Sequence, residues 1–211
     1  MAIRVLSAVL LPLLAVSAAE PLPVLRTEPI GGGSIFWIKN TGSQPVTAFL
    51  IELANYPGSY YSLWQDESAG ELIAPGAEKR IQVTNMTVGA VPDYVKLQAA
   101  LFADGSSAGI PEKITQLVER RRSNLAITRE LIARIGKGGP KADLITGLKA
   151  WEETMQPARR ADPTAQATIN QSAARGIIAD AIESLNAHSP EETLARLRAS
   201  EQALAASKPP L

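Results

Sequence analysis

With 211 residues, no cysteine, and 21 basic side chains set against 21 acidic ones, the chain rules out a disulfide scaffold, thiolate chemistry and zinc–thiolate sites. The balanced charge also argues against nucleic acid as a partner, since nucleic-acid-binding proteins carry a basic excess. Hydrophobic residues at 45% and charged residues at 20% are globular proportions, so stability must come from apolar burial.

Met1 to Arg4 carries one positive charge, residues 5–16 run without a charge, and Ser17-Ala18-Ala19 offers small side chains at both positions a signal peptidase inspects. Together they form the three-part signature of a cleavable secretory signal peptide over residues 1–19. The apolar run is 12 residues long, against the roughly twenty that a membrane-crossing helix needs. Pro12 interrupts it as well. Removing Arg4 with the signal leaves 20 basic against 21 acidic residues, a net charge of −1. The mature protein is expected to be secreted or periplasmic and to lack a membrane span.

Three prolines within residues 20–29 suit an extended lead-in or edge strand. Gly31-Gly32-Gly33 precedes a strand instead of following one and opening a helix. It also lacks the lysine and Ser/Thr of a phosphate-binding loop, so it reads as a turn. Residues 34–39 (SIFWIK) are short, aromatic and β-branched, and Asn40-Thr41-Gly42-Ser43 closes them with turn chemistry. Residues 46–53 (VTAFLIEL) set Val46, Ala48 and Leu50 on one face, while Phe49 and Ile51 make the other face apolar too. Such a strand is expected to be covered on both sides, by a second sheet or by the next domain. Further strands are expected at 59–64, followed by the polar loop 65–68, and at 80–86. One at 94–103 places Val95, Leu97, Ala99 and Leu101 on one face and Phe102 on the other. Strands of about six residues at intervals of about twelve, without helical period, predict an antiparallel sandwich.

The segments from Ile38 to Phe49 (IKNTGSQPVTAF) and from Leu72 to Val83 (LIAPGAEKRIQV) resemble bacterial extracytoplasmic immunoglobulin-like or fibronectin-like modules. There, a strand ending in Asn and Gly is followed by one that begins near a Pro, and a later Pro-Gly turn feeds another strand. The resemblance covers roughly residues 22–105 and implies an Ig-like binding or spacing module. It carries over no functional residue.

At Pro111 the period changes to about 3.6, with proline at the first helical turn. Ile114, Leu117, Val118, Leu125, Ile132 and Ile135 form one stripe, ended by Gly136, Gly138, Gly139 and Pro140. A second helix over 141–156 carries Leu144, Leu148, Trp151 and Met155 on one face. A third is expected to start at Asp162-Pro163 and to expose a thin stripe of Ile169, Ala173, Ile177, Ala181 and Leu185. That stripe suits burial within a bundle, or alternatively a partner's helix. Ser189-Pro190-Glu191-Glu192 is a capping box opening a fourth helix with Leu194, Leu197 and Leu204 on its face. The expected fold is α+β: an N-terminal antiparallel Ig-like β-sandwich over 20–110, a bundle of about four helices over 111–207, and a tail at 208–211.

No serine-nucleophile motif stands in the sequence, and no cofactor is expected. His188, the only histidine, reads as a residue at a helix C-terminus, and Glu152-Glu153 as a solvated pair. Two surfaces stand out. Tyr60, Tyr61, Trp64 and Asp66 form an aromatic–acidic cluster suited to sugars or cationic groups. The run Glu119-Arg120-Arg121-Arg122 with Arg129 offers a solvated face, an interdomain contact or an anionic-partner site, in which Arg120, Arg122 and Arg129 are the candidates. Arg121 falls on the apolar side, where it can reach the β domain. The expected function is a non-enzymatic, exported protein-interaction module whose partner is another envelope or secreted protein. The alternative is a carbohydrate- or peptide-binding protein using the Tyr60–Asp66 surface.

Overall fold

A computed structural model describes residues 19–54, 61–66, 68, 70–84, 94–158, 161–162 and 164–209. The expected signal segment, apart from Ala19, lies outside the described residues, as does Tyr60. The described residues form two antiparallel sheets followed in sequence by four helices. One sheet holds β1 (Val24–Ile30), β2 (Gly33–Lys39) and β5 (Glu78–Thr84) in the order β1-β2-β5. The other holds β4 (Ser62–Asp66), β3 (Val46–Leu53), β6 (Val95–Phe102) and β7 (Ser107–Gly109) in the order β4-β3-β6-β7.

The sheets meet across a core in which Phe36 and Ile38 of β2 face Phe49 and Ile51 of β3 and Ala100 and Phe102 of β6. Period-two alternation produces this, because β-branched and aromatic side chains fill one face of a pleated strand. Asn40, expected as part of a turn, is fully buried. Its amide donates to Gln44 O and Ile73 O at 2.8 and 2.9 Å and its Oδ1 accepts from Gly42 N, tying the turn to the isolated bridge between Val46 and Ile73. On the opposite side of β2, Trp37 lies between the guanidinium groups of Arg26 and Arg80, 4.7 and 5.7 Å from its ring centre.

β3 is covered on both faces, as its doubly apolar sequence requires. Phe49 and Ile51 enter the inter-sheet core, while Ala48 and Leu50 pack with Leu117 of the first helix. Two assignments of face differ from the sequence expectation. Val46 joins Phe49 and Ile51, because the pairing shifts register between Val46 and Ala48. In β6, Val95 and Leu97 face the inter-sheet core with Ala100 and Phe102, while Ala99 and Leu101 face the helix. The register passes from Leu50↔Ala99 to Ile51↔Leu97, and the bulge at Gln98 flips the face of everything beyond it. β4 ends at Asp66, two residues beyond the strand expected at 59–64, so Gln65 and Asp66 are paired instead of looped.

α1 (Pro111–Gly136) is 26 residues long, about 39 Å at 1.5 Å per residue. Its first turns complete the outer face of the β4-β3-β6-β7 sheet through Ile114, Leu117 and Val118. Its second half enters a separate core with α2 (Lys141–Thr154) and α3 (Gln166–Ala187), built from Leu131, Ile135, Leu148, Ile178, Ala181, Ile182 and Leu185. The two cores thus share one helix across the boundary expected at residue 110. The α3 stripe is buried inside this bundle, with Ile178, not Ile177, at its centre. α3 begins at Gln166, later than expected, because the Asp162 carboxylate accepts Thr164 N and Oγ1 at 2.8 and 2.7 Å and closes a local turn. Among the described residues, no helix is long and apolar enough to cross a membrane.

α4 (Pro190–Ala206) opens with the expected capping box: Ser189 Oγ accepts Glu192 N at 3.2 Å and the Glu192 carboxylate accepts Ser189 N at 3.0 Å. The Ser189 amide, followed by its hydroxyl, holds the Glu192 carboxyl below its usual value of 4.5. A depressed carboxyl stabilises the fold above that value, and its contribution is lost as pH falls through the lowered one. Ser189→Ala is expected to cost about 1 kcal/mol in urea unfolding at pH 7. Because the hydroxyl also helps lower the Glu192 carboxyl, that deficit should shrink as the pH is lowered below 4.5; a deficit that does not change with pH would contradict the hydroxyl's contribution to the carboxylate.

Candidate functional site

Residues 113, 117 and 121 recur every four positions and face the sheet from α1. Lys113 Nζ pairs with the buried Glu52 carboxylate at 2.8 Å, and Leu117 packs on Leu50 and Leu101. Arg121 has no exposed side-chain surface. Its Nε and Nη2 donate to the two Asp66 oxygens at 2.7 and 3.1 Å, Nη2 also to Thr47 Oγ1 at 3.0 Å, and Nη1 to the Lys208 carbonyl at 2.7 Å. The planar fork thereby joins β3, β4, α1 and the segment after α4. Lys208, expected in a free tail, is held in this joint.

Arg120, one residue earlier, points about 100° around the helix and lines a different space. A cleft of about 470 Å³ runs between β4 and the first turns of α3, lined by Tyr61, Ser62, Trp64, Arg120, Thr168 and Ser172 among others. The Arg120 guanidinium lies over Trp64, 5.4 Å from the ring centre. Trp64 Nε1 donates to Ser62 Oγ at 2.9 Å, which fixes the indole under the arginine. Burial pulls the Arg120 pKa down to about 10, opposed by the Asp66 charge, so the group stays cationic at neutral pH. Among the described residues, no carboxylate forms an ion pair with it. Burial raises the Tyr61 hydroxyl to about 12, so it remains a neutral donor, and its ring tilts against Phe36 at 6.2 Å.

The structure therefore brings together residues that the sequence placed on two separate surfaces. Tyr61 and Trp64 share a cleft with Arg120. Asp66, the acid expected beside the aromatics, is held by Arg121 and by Ser68 N at 3.0 Å. Among the described residues, the cleft beside Tyr61 and Trp64 therefore carries the Arg120 cation, while Asp66 is engaged by Arg121. Arg122 makes an exposed pair with Glu119 on its own helix, and Arg129 reaches Glu201 of α4 at 2.9 Å, so neither lines the cleft. The His188 backbone carbonyl accepts Lys141 Nζ at 3.1 Å.

A groove of about 420 Å³ over α1, between α3 and α4, had no sequence signal. It is lined in part by Asp180, Ser184, Thr193, Arg196 and Ser200. Burial, with Glu183 nearby, raises the Asp180 pKa. The Ser184 and Thr193 hydroxyls satisfy each other at 3.1 Å, and Asp66 at its end is held by Arg121. Among the described residues, no group of three or more His, Cys, Asp or Glu is placed to hold a metal ion. The chain matches no family model, no curated protein and no solved structure.

Proposed function

We propose that this chain is an exported, non-enzymatic binding module of the cell envelope or secreted space, and that it holds a protein partner through the Tyr61–Trp64–Arg120 cleft. The observation that carries this reading is Arg120: a cation partly withdrawn from water, stacked on an indole, and without an ion pair among the described residues, Asp66 nearby being held by Arg121. A desolvated charge is costly unless a counter-charge arrives, and an anionic group of a partner supplies one. The strand order β1-β2-β5 facing β4-β3-β6-β7 supports a fibronectin-like module, a fold whose role is commonly binding or spacing. Export rests on the three-part N-terminal signature, which places the mature N-terminus at Glu20. The protein reading is favoured over a sugar because Arg120 covers Trp64, leaving less of the ring for a pyranose to stack on.

The test is in-cell photo-crosslinking from position 172, on the α3 wall of the cleft, in the full-length chain. A discrete protein adduct that is lost when Arg120→Gln is added is the expected result. An absent adduct, or one indifferent to Arg120, would refute the reading.

A further inference from the structure

β4 is an end strand of its sheet, and among the described residues no strand pairs with its outer edge. Leu53 N donates to Tyr61 O at 3.0 Å, and the antiparallel register continues through Ile51↔Leu63 and Phe49↔Gln65. Hydrogen-bonded pairs alternate with non-bonded ones in such a ladder, so the N–H and C=O groups of Ser62 and Trp64 point away from β3. Both residues line the cleft, as do Tyr61 before them and Leu63 between them. An unprotected edge is normally covered, charged or shortened to prevent unwanted pairing, and among the described residues this one borders a cavity instead. Across the cavity, Thr168 and Ser172 stand one turn apart on α3, far enough from β4 to leave about 470 Å³ between them.

Resting on the binding reading above, we infer that the partner enters as an extended strand that pairs with the outer edge of β4 and sets an acidic side chain on Arg120. Two features converge on this occupant. Main-chain groups of Ser62 and Trp64 suit an extended segment, because strand addition draws its affinity from backbone hydrogen bonds and its specificity from pockets for alternate side chains. The Ser62 and Trp64 side chains share one face with Arg120, so an incoming residue pointing to that face meets the guanidinium. A free C-terminus is usually captured by a nest of backbone amides, whereas the cation here is a side-chain fork, which suits Asp or Glu within a strand. Arginine is suited to the role because its flat face can stay on Trp64 while its edge donates to the carboxylate.

The test uses pools of capped heptapeptides alternating Thr with Val or Ile, randomised at the flanking positions and fixed at the centre as Glu or Gln. Each pool is passed over the immobilised full exported chain. The Glu pool should be retained about tenfold better than the Gln pool, and Arg120→Gln should bring that ratio close to one. N-methylation of alternate backbone nitrogens should abolish retention. Ser172→Trp, which puts bulk into the cleft from its α3 wall, should abolish it too. Equal retention of Glu and Gln pools, undiminished retention of the N-methylated pool, or no retention of either pool would overturn the inference. An adduct at position 172 in cells without Glu-pool retention would leave the binding reading standing and sink only the strand-and-carboxylate inference.

Discussion

Replacing Arg121 with alanine is expected to lower the unfolding free energy by about 3–5 kcal/mol, the largest single loss on the surface of α1. The side chain is wholly buried, and its removal takes the charge partner from the Asp66 carboxylate, which is only 13% exposed and keeps Ser68 N. It also removes a donor from the Lys208 carbonyl and from Thr47 Oγ1, which still donates to Leu101 O. The cost is therefore that of an uncompensated charge plus two unmade hydrogen bonds, not of one ion pair. Arg121→Lys keeps the charge but cannot reproduce the bidentate contact with both Asp66 oxygens, so it should recover only part of the loss. Asp66→Ala combined with Arg121→Ala should cost much less than the sum of the two singles, since each single leaves the other partner unpaired. Urea unfolding of the four proteins measures this. A loss under about 1 kcal/mol for Arg121→Ala would mean that the joint is hydrated and that α1 is held by Leu117 and Lys113 alone.

Gly109→Ala is expected to cost about 3 kcal/mol, and for a reason located in another strand. Gly109 has φ of +114°, a region that side-chain-bearing residues rarely adopt, and a Cβ there would lie 2.2 Å from Gln98 O and 2.7 Å from Ala99 Cα. Both are backbone atoms of β6 at its bulge, where Ile110 N also donates to Gln98 O at 2.9 Å. The clash cannot be relieved by turning a flexible side chain. The bulge sets which of Leu97, Ala99, Ala100 and Leu101 face the inter-sheet core and which face α1. Displacing it should therefore loosen both layers at once, and amide exchange should accelerate in β6 and in the first turns of α1 together. A loss under about 1 kcal/mol, or exchange confined to β7, would show that the bulge does not depend on this approach.

Several of these features were legible in the sequence because they are local. The change of period at Pro111, the Ser189–Glu192 box and the doubly apolar 46–53 segment each express a rule that acts within a few residues. The i, i+4, i+8 spacing of Leu117, Arg121 and Leu125 likewise put Arg121 on the apolar side of α1, where it is found. What was not legible depends on partners distant in sequence. The face of β6 changes at the bulge at Gln98, which β7 approaches through Gly109, and three-residue β7 is too short to carry an alternation of its own. The start of α3 was misplaced because Asp162 spends its carboxylate on Thr164. Within Arg120-Arg121-Arg122, three identical residues acquire three environments, cleft, buried joint and exposed pair, only when the sheet is laid against the helix. The same step removes Asp66 from the aromatic cluster and puts Arg120 in its place.

The most direct test of a carboxylate-binding role for the cleft is two-dimensional NMR of the Arg120 Nε–H and Trp64 Nε1–H signals while the Glu-centred peptide pool is added to the protein. Saturable shifts of both signals, absent with the Gln-centred pool, are the expected result. Signals that stay fixed with the Glu pool, or that move equally with both pools, would contradict it and would leave Arg120 as a structural cap on Trp64.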